Sequence, residues 1–106
     1  MSQRLHQLQT LLTDSPDDEF LLFAIAKEYE NLGDNALALQ YYLSLKQLSP
    51  NYIGLYYHLV KLQEQLDQPT QALATYADGV ARAHALDDQH ARAELQSAKL
   101  NLEMEL

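Results

Sequence analysis

Four histidines and a surplus of carboxylates are the side chains of this sequence with the means for metal or acid–base chemistry. A zinc pair on one helix needs two histidines three or four residues apart, so that both imidazoles project from the same face. His6, His58, His84 and His90 offer no such pair. His84 and His90 flank Asp87 and Asp88 and could converge across a turn, but helix capping and solvation explain these side chains more simply. There is no phosphate-binding glycine loop and no nucleophile motif, and the carboxylates sit mainly at helix starts or on exposed faces. The expectation is no catalytic residue, no metal ligand and no cofactor. A metal-dependent enzyme is the remotest reading.

The bulk properties point the same way. With 106 residues the chain suits one domain, and 47% hydrophobic residues with only three Gly and three Pro suit packed helices. No cysteine is present, so packing must hold the fold. Fifteen acids against seven bases give a formal net charge of -8, which disfavours nucleic acid and anionic membranes, since phosphate binding needs clustered Lys and Arg. The first residues, 1–13, carry Leu5, Leu8, Leu11 and Leu12 at helical spacing, in contrast to the unbroken apolar run of a signal peptide. No stretch approaches the roughly 18 consecutive apolar residues of a membrane span. A cytoplasmic protein is expected.

The elements that position these side chains come in a repeat. At an offset of 34 residues, Pro16 aligns with Pro50, Leu21 with Leu55, Lys27 with Lys61, Glu30 with Glu64 and Tyr42 with Tyr76. One helix is predicted from about Asp17 to Leu32, its start favoured by Asp17, Asp18 and Glu19 near the free backbone N–H groups. Gly33 can take the left-handed conformation that ends it, and a second helix runs back to about Leu48 before Pro50. The plan recurs from about Asn51 to Leu66 and from Pro69 to His84. Going backwards, Leu5 falls on Leu39 and Leu11 on Leu45, so the first helix reads as the second half of a truncated repeat. At the other end Asp87 or Asp88 can cap a helix whose apolar stripe is Ala91, Leu95, Ala98 and Leu102. The predicted layout is a single domain over 1–106: a leading half repeat at 1–15, repeats at 17–50 and 51–84, and a capping helix at 87–104.

In the first unit Leu22, Ile25, Ala26 and Tyr29, then Ala38 and Tyr42, then Pro50, stand at spacings that resemble the tetratricopeptide repeat. The second unit matches through Tyr56, Leu59, Ala72 and Tyr76. It departs at Val60, Gln63, Asp67 and His84, where a small residue, Tyr, Gly and Pro are usual. The chain resembles the small stand-alone bacterial proteins of this type. The resemblance implies an all-α fold of about six helices, antiparallel hairpins stacked as a short right-handed solenoid.

It also implies that the first helix of each hairpin lines a concave face. That puts Phe20, Phe23, Ala24, Lys27, Glu30 and Asn31 on the open side of one repeat. Gly54, Tyr57, His58, Lys61, Glu64 and Gln65 take those places in the next. Phe20, Phe23, Lys27, Tyr57, His58 and Lys61, with Arg92 on the last helix as a further cation, form the candidate groove. Repeated aromatics beside repeated lysines suit a peptide with apolar anchors and a carboxylate. The exposure of Phe20 and Phe23 is left open, because burial of Phe is common. Lys and Asn residues that clamp terminal carboxylates in some chaperone-serving repeats are replaced here by Phe23 and His58, which argues against that specialised activity. The expected function is an adaptor that binds a protein or peptide, with self-association into a homo-oligomer as the alternative.

Overall fold

The computed structural model describes residues 2–106, which form six α-helices and no strand. They are α1 (Gln3–Asp14), α2 (Glu19–Asn31), α3 (Asn35–Leu48), α4 (Gly54–Gln65), α5 (Pro69–Ala85) and α6 (Gln89–Glu105). Four starts are capped by a side-chain oxygen that accepts from a backbone N–H three residues on: Ser2, Asp18, Asp34 and Asp88. Of the three acids clustered before α2, Asp18 is the cap, and the helix begins at Glu19, two residues later than the charge pattern suggested. Helix α5 opens with Pro69, whose missing N–H costs nothing in a first turn. Helix α4 begins at Gly54 and has no side-chain cap. The nearest side chain of capping type, Asn51, instead accepts a hydrogen bond from Arg82 at 3.2 Å.

Three helices end alike. After α2, α4 and α5 the chain passes through a residue with positive φ: Gly33 at 81°, Asp67 at 58° and Asp87 at 57°. In each case the next N–H reaches back five residues, from Asp34 to Tyr29, from Gln68 to Gln63 and from Asp88 to Ala83, at 2.8–2.9 Å. This bond satisfies a carbonyl that the helix end would otherwise leave bare. Asp67 therefore adopts the conformation that Gly33 takes, although it carries a Cβ.

The chain divides into two compact units, Met1–Ser49 and Pro50–Leu106. In the first, α2 packs against both α1 and α3. Leu5 and Leu8 of α1 join Leu21, Ala24 and Ile25 of α2 in a buried cluster, with Leu12, Tyr29 and Tyr41 against it. Tyr29 stacks on Tyr41 with centroids 5.5 Å apart and accepts a hydrogen bond from Gln9 of α1 at 3.0 Å. Glu28 is buried, accepts from Ser2 at 3.1 Å and faces Arg4 at 3.4 Å, which ties the start of α1 to α2. Ala26, Ala38, Tyr42 and Leu45 are wholly enclosed.

In the second unit α5 packs against both α4 and α6. Leu55, Leu59, Val60, Leu62, Ala72 and Tyr76 are buried, and Leu95 and Leu102 of α6 complete the core. Gly79 makes room at the centre: a Cβ there would lie 3.0 Å from Leu95 Cδ1 and 3.0 Å from both Cβ and Cγ of Tyr56. The corresponding positions 34 residues earlier hold Leu22 and Leu45, both buried. One hairpin thus carries two leucines where the other carries a tyrosine and a glycine, a trade of volume across a close-packed contact. No helix among the described residues is long and apolar enough to cross a membrane.

Candidate peptide-binding faces

Each hairpin holds the same four-residue constellation. In the first, Tyr42 of α3 is fully buried and its hydroxyl donates to Glu30 on α2. In the second, Tyr76 of α5 is fully buried and its hydroxyl donates to Glu64 Oε2 on α4 at 2.7 Å. Burial, and then the hydrogen bond to the carboxylate, push both phenols well above the usual tyrosine range. The phenols therefore stay protonated and hold each carboxylate at a fixed place on the face of the first helix.

Beside each carboxylate lies a lysine laid over an aromatic ring. Lys27 Nζ is 5.8 Å from the centroid of Phe23, and Lys61 Nζ is 5.5 Å from that of Tyr57. Lys61 also reaches Glu64 Oε2 at 3.6 Å, the same oxygen that Tyr76 holds. The spacing is what makes this possible: ring and lysine are four residues apart, lysine and glutamate three, so all three stand in one row of a helix.

The structure divides the candidate residues into three groups. Phe20, Phe23 and Lys27 lie on α2; Phe20 is 67% exposed, while Phe23 is half-buried with its ring in a T-shaped contact with Tyr42 at 6.0 Å. Ala24, expected on this open side, is buried instead, because Leu5 and Leu8 of α1 cover that part of α2. Tyr57, His58 and Lys61 lie on α4; Tyr57 is 38% exposed and makes an edge contact with His58 at 6.1 Å. A groove of about 390 Å³ runs beside Tyr57, Lys61 and Glu64, and its far wall is α6, with Glu94, Asn101 and Glu105. Arg92 does not join it. The guanidinium side of α6 faces α5, where Arg92 lines a separate groove with Ala81 and His84.

The acids of that wall carry a consequence for ligand chemistry. Lys61 is the single cation of the groove and already faces Glu64, so a carboxylate ligand would compete with a built-in one. Glu94 and Glu105 add further negative charge. Among the described residues no group of three or more His, Asp or Glu is placed to hold a metal ion. His84 lies with Asp87 and Asp88, whereas His90 turns to Glu94 at 3.4 Å.

Sequence reasoning matched Glu30 with Glu64 and Tyr42 with Tyr76 but did not join them. The signal was present, since both pairs are separated by 12 residues across the helix turn. The groove that holds Arg92 was missed altogether.

Among solved structures, a tetratricopeptide repeat domain protein from Salinibacter ruber, determined in solution, matches with a TM-score of 0.80 and 40% sequence identity over 83% of this chain and 89% of its own. The chain belongs to the tetratricopeptide repeat proteins. A crystal structure described in the same words, from the same organism, matches at TM-score 0.76 and 40% identity, covering 81% of this chain and 97% of that one. A third repeat structure of the same fold is PcrH, solved in complex with the chaperone binding region of PopD, at TM-score 0.85, 18% identity and coverages of 95% and 77%. No protein-family model matches the sequence, and no curated protein does.

Proposed function

We propose that this tetratricopeptide repeat chain is a protein-interaction module that binds peptide segments on the open face of α2 and, separately, on that of α4. The observation that carries this reading is the aromatic–lysine–glutamate–tyrosine constellation, present at the same spacing in both hairpins with its aromatic ring partly exposed. In the second hairpin the buried phenol anchors a carboxylate that also faces the lysine lying over the ring, so these groups are held in place before a ligand arrives. Pre-ordering of aromatic and charged contacts lowers the entropy lost on binding. Phe20, Phe23 and Lys27 offer such contacts on α2, and Tyr57, His58 and Lys61 on α4.

In the α4 groove the balance of charge favours a segment with apolar anchors and a basic side chain. The anchor stacks on Tyr57, and the base faces Glu94 and Glu105. PcrH, in complex with the chaperone binding region of PopD, supports a protein segment as the kind of ligand.

Affinity capture from extracts of the source cells tests this, with the unmodified chain and a Tyr57→Ala/Lys61→Ala variant side by side. Both residues are exposed, so the variant should keep its helicity by circular dichroism. A partner held by the first and lost by the second, with affinity reduced about tenfold or more, is the expected result. Equal capture by the two would end the assignment to this face.

A further inference from the structure

The groove between α5 and α6 has a chemistry opposite to that of the α4 face. Its floor is apolar: Ala77, Val80 and Ala81 from α5, and Leu100 from α6, which is 57% exposed. Its α6 wall carries Arg92 and Lys99, and His84 stands at the α5 side. Glu103 is the only carboxylate in it and bridges Lys99 at 3.3 Å. Arg92 is half-buried, and its guanidinium makes no hydrogen bond or ion pair among the described residues, although Asp87 and Asp88 line an adjoining cleft with it; Arg4 by contrast faces Glu28 and Arg82 bonds Asn51. With a volume of about 560 Å³ and two helices as its walls, the groove offers ridges against which a third helix can lie.

We propose that this groove is a second docking surface, for an amphipathic helix of a partner protein that carries carboxylates beside its apolar stripe. The apolar stripe covers Leu100, Val80 and the alanines, and a carboxylate forks onto the Arg92 guanidinium, whose planar donors suit bidentate pairing. The chain as a whole carries -8 and repels acidic ligands. An acidic helix is drawn to this groove only by the local cations and the apolar floor.

Two synthetic helical peptides test the proposal on the full chain, one of leucine, alanine and glutamate and one with lysine in place of glutamate. Amide chemical shifts are followed by NMR during titration. The glutamate peptide is expected to move signals of Val80, Ala81, Arg92 and Leu100, and Arg92→Glu to weaken it about tenfold or more while Tyr57→Ala leaves it unchanged. The lysine peptide is expected to move signals around Tyr57 and Lys61, which separates failure of this groove from failure of the α4 face. Preference of the α5–α6 groove for the lysine peptide, or no shift there with the glutamate peptide, would overturn the proposal. So would a dimer in sedimentation that Leu100→Asp dissolves, because a second copy would then be the occupant. Binding through Leu100 to vesicles of anionic phospholipid, with both peptides inert, would likewise overturn it. The shift map on unmodified protein keeps the test valid if Arg92→Glu fails to fold.

Discussion

Tyr42 and Tyr76 join core to surface in one side chain each. Their rings are buried, and their hydroxyls reach carboxylates that water can still touch. Replacing either by Phe should cost about 1 kcal/mol in denaturant unfolding, the value of a hydrogen bond whose acceptor can be rehydrated. The raised phenol pKa also sets a pH dependence. Folding favours the protonated phenol, so its contribution is complete below the unfolded value of 10.0 and is lost as pH rises above it. Stability should therefore fall on the alkaline side of pH 10, less steeply in a Tyr42→Phe/Tyr76→Phe variant. Phenolate absorbance of the native chain should lag behind that of the unfolded chain. Equal alkaline slopes for variant and parent would contradict this. Gln63 is a different case: it takes the place Tyr29 holds one repeat earlier, is buried, and leaves its Oε1 without a partner.

At the scale of the helix, ends and crossings limit stability. Asp67 and Asp87 hold left-handed backbone that glycine adopts without a Cβ penalty, as Gly33 does. The penalty for a Cβ is about 1–2 kcal/mol and glycine's entropy loss about 0.5–1 kcal/mol, so Asp67→Gly should stabilise by roughly 0.5–1 kcal/mol. Urea unfolding of Asp67→Gly and Asp67→Val together checks the sign, with Val expected to be the least stable of the three. Gly79 calls for the opposite judgement. Helix propensity alone favours alanine there by about 1 kcal/mol. The added methyl would meet the inflexible Cβ and Cγ of Tyr56 at 3.0 Å, and overpacking of that kind costs about 1–3 kcal/mol. We expect Gly79→Ala to lower the unfolding midpoint, and Tyr56→Leu in the same chain to restore part of the loss by recreating space. A Gly79→Ala variant more stable than its parent would show that the contact relaxes easily.

At the scale of the whole molecule, charge is the dominant feature. Fifteen acids and seven bases repel one another on balance, while the ion pairs Lys99–Glu103 and Lys61–Glu64 are partly exposed to water and contribute little. Raising salt from about 0.01 M to about 0.15 M shortens the screening length from about 30 Å to about 8 Å. The net repulsion is then screened more than the pairs are weakened. Tm should rise by about 2–5 °C. A fall in Tm with salt would mean that the pairs outweigh the repulsion. The same imbalance explains why the α5–α6 groove stands out: its cations lie in a molecule of opposite sign.

Helical periodicity, capping residues and the offset of 34 were enough to place six helices, to pair aromatic with lysine in both hairpins, and to recognise the repeat. These features are local, or are copied from one repeat to the next, so one strand of text carries them. Which neighbour covers a given face is a different matter. Ala24 is buried because α1 lies on it, and Phe23 is half-buried because Tyr42 packs beside its ring. Arg92 leaves the expected row because the packing of α6 on α5 turns it to the far side. Glu64 takes the charge of Lys61 because Tyr76 holds it there. Periodicity says which residues share a face of a helix; the packing of helices distant in sequence decides what that face meets.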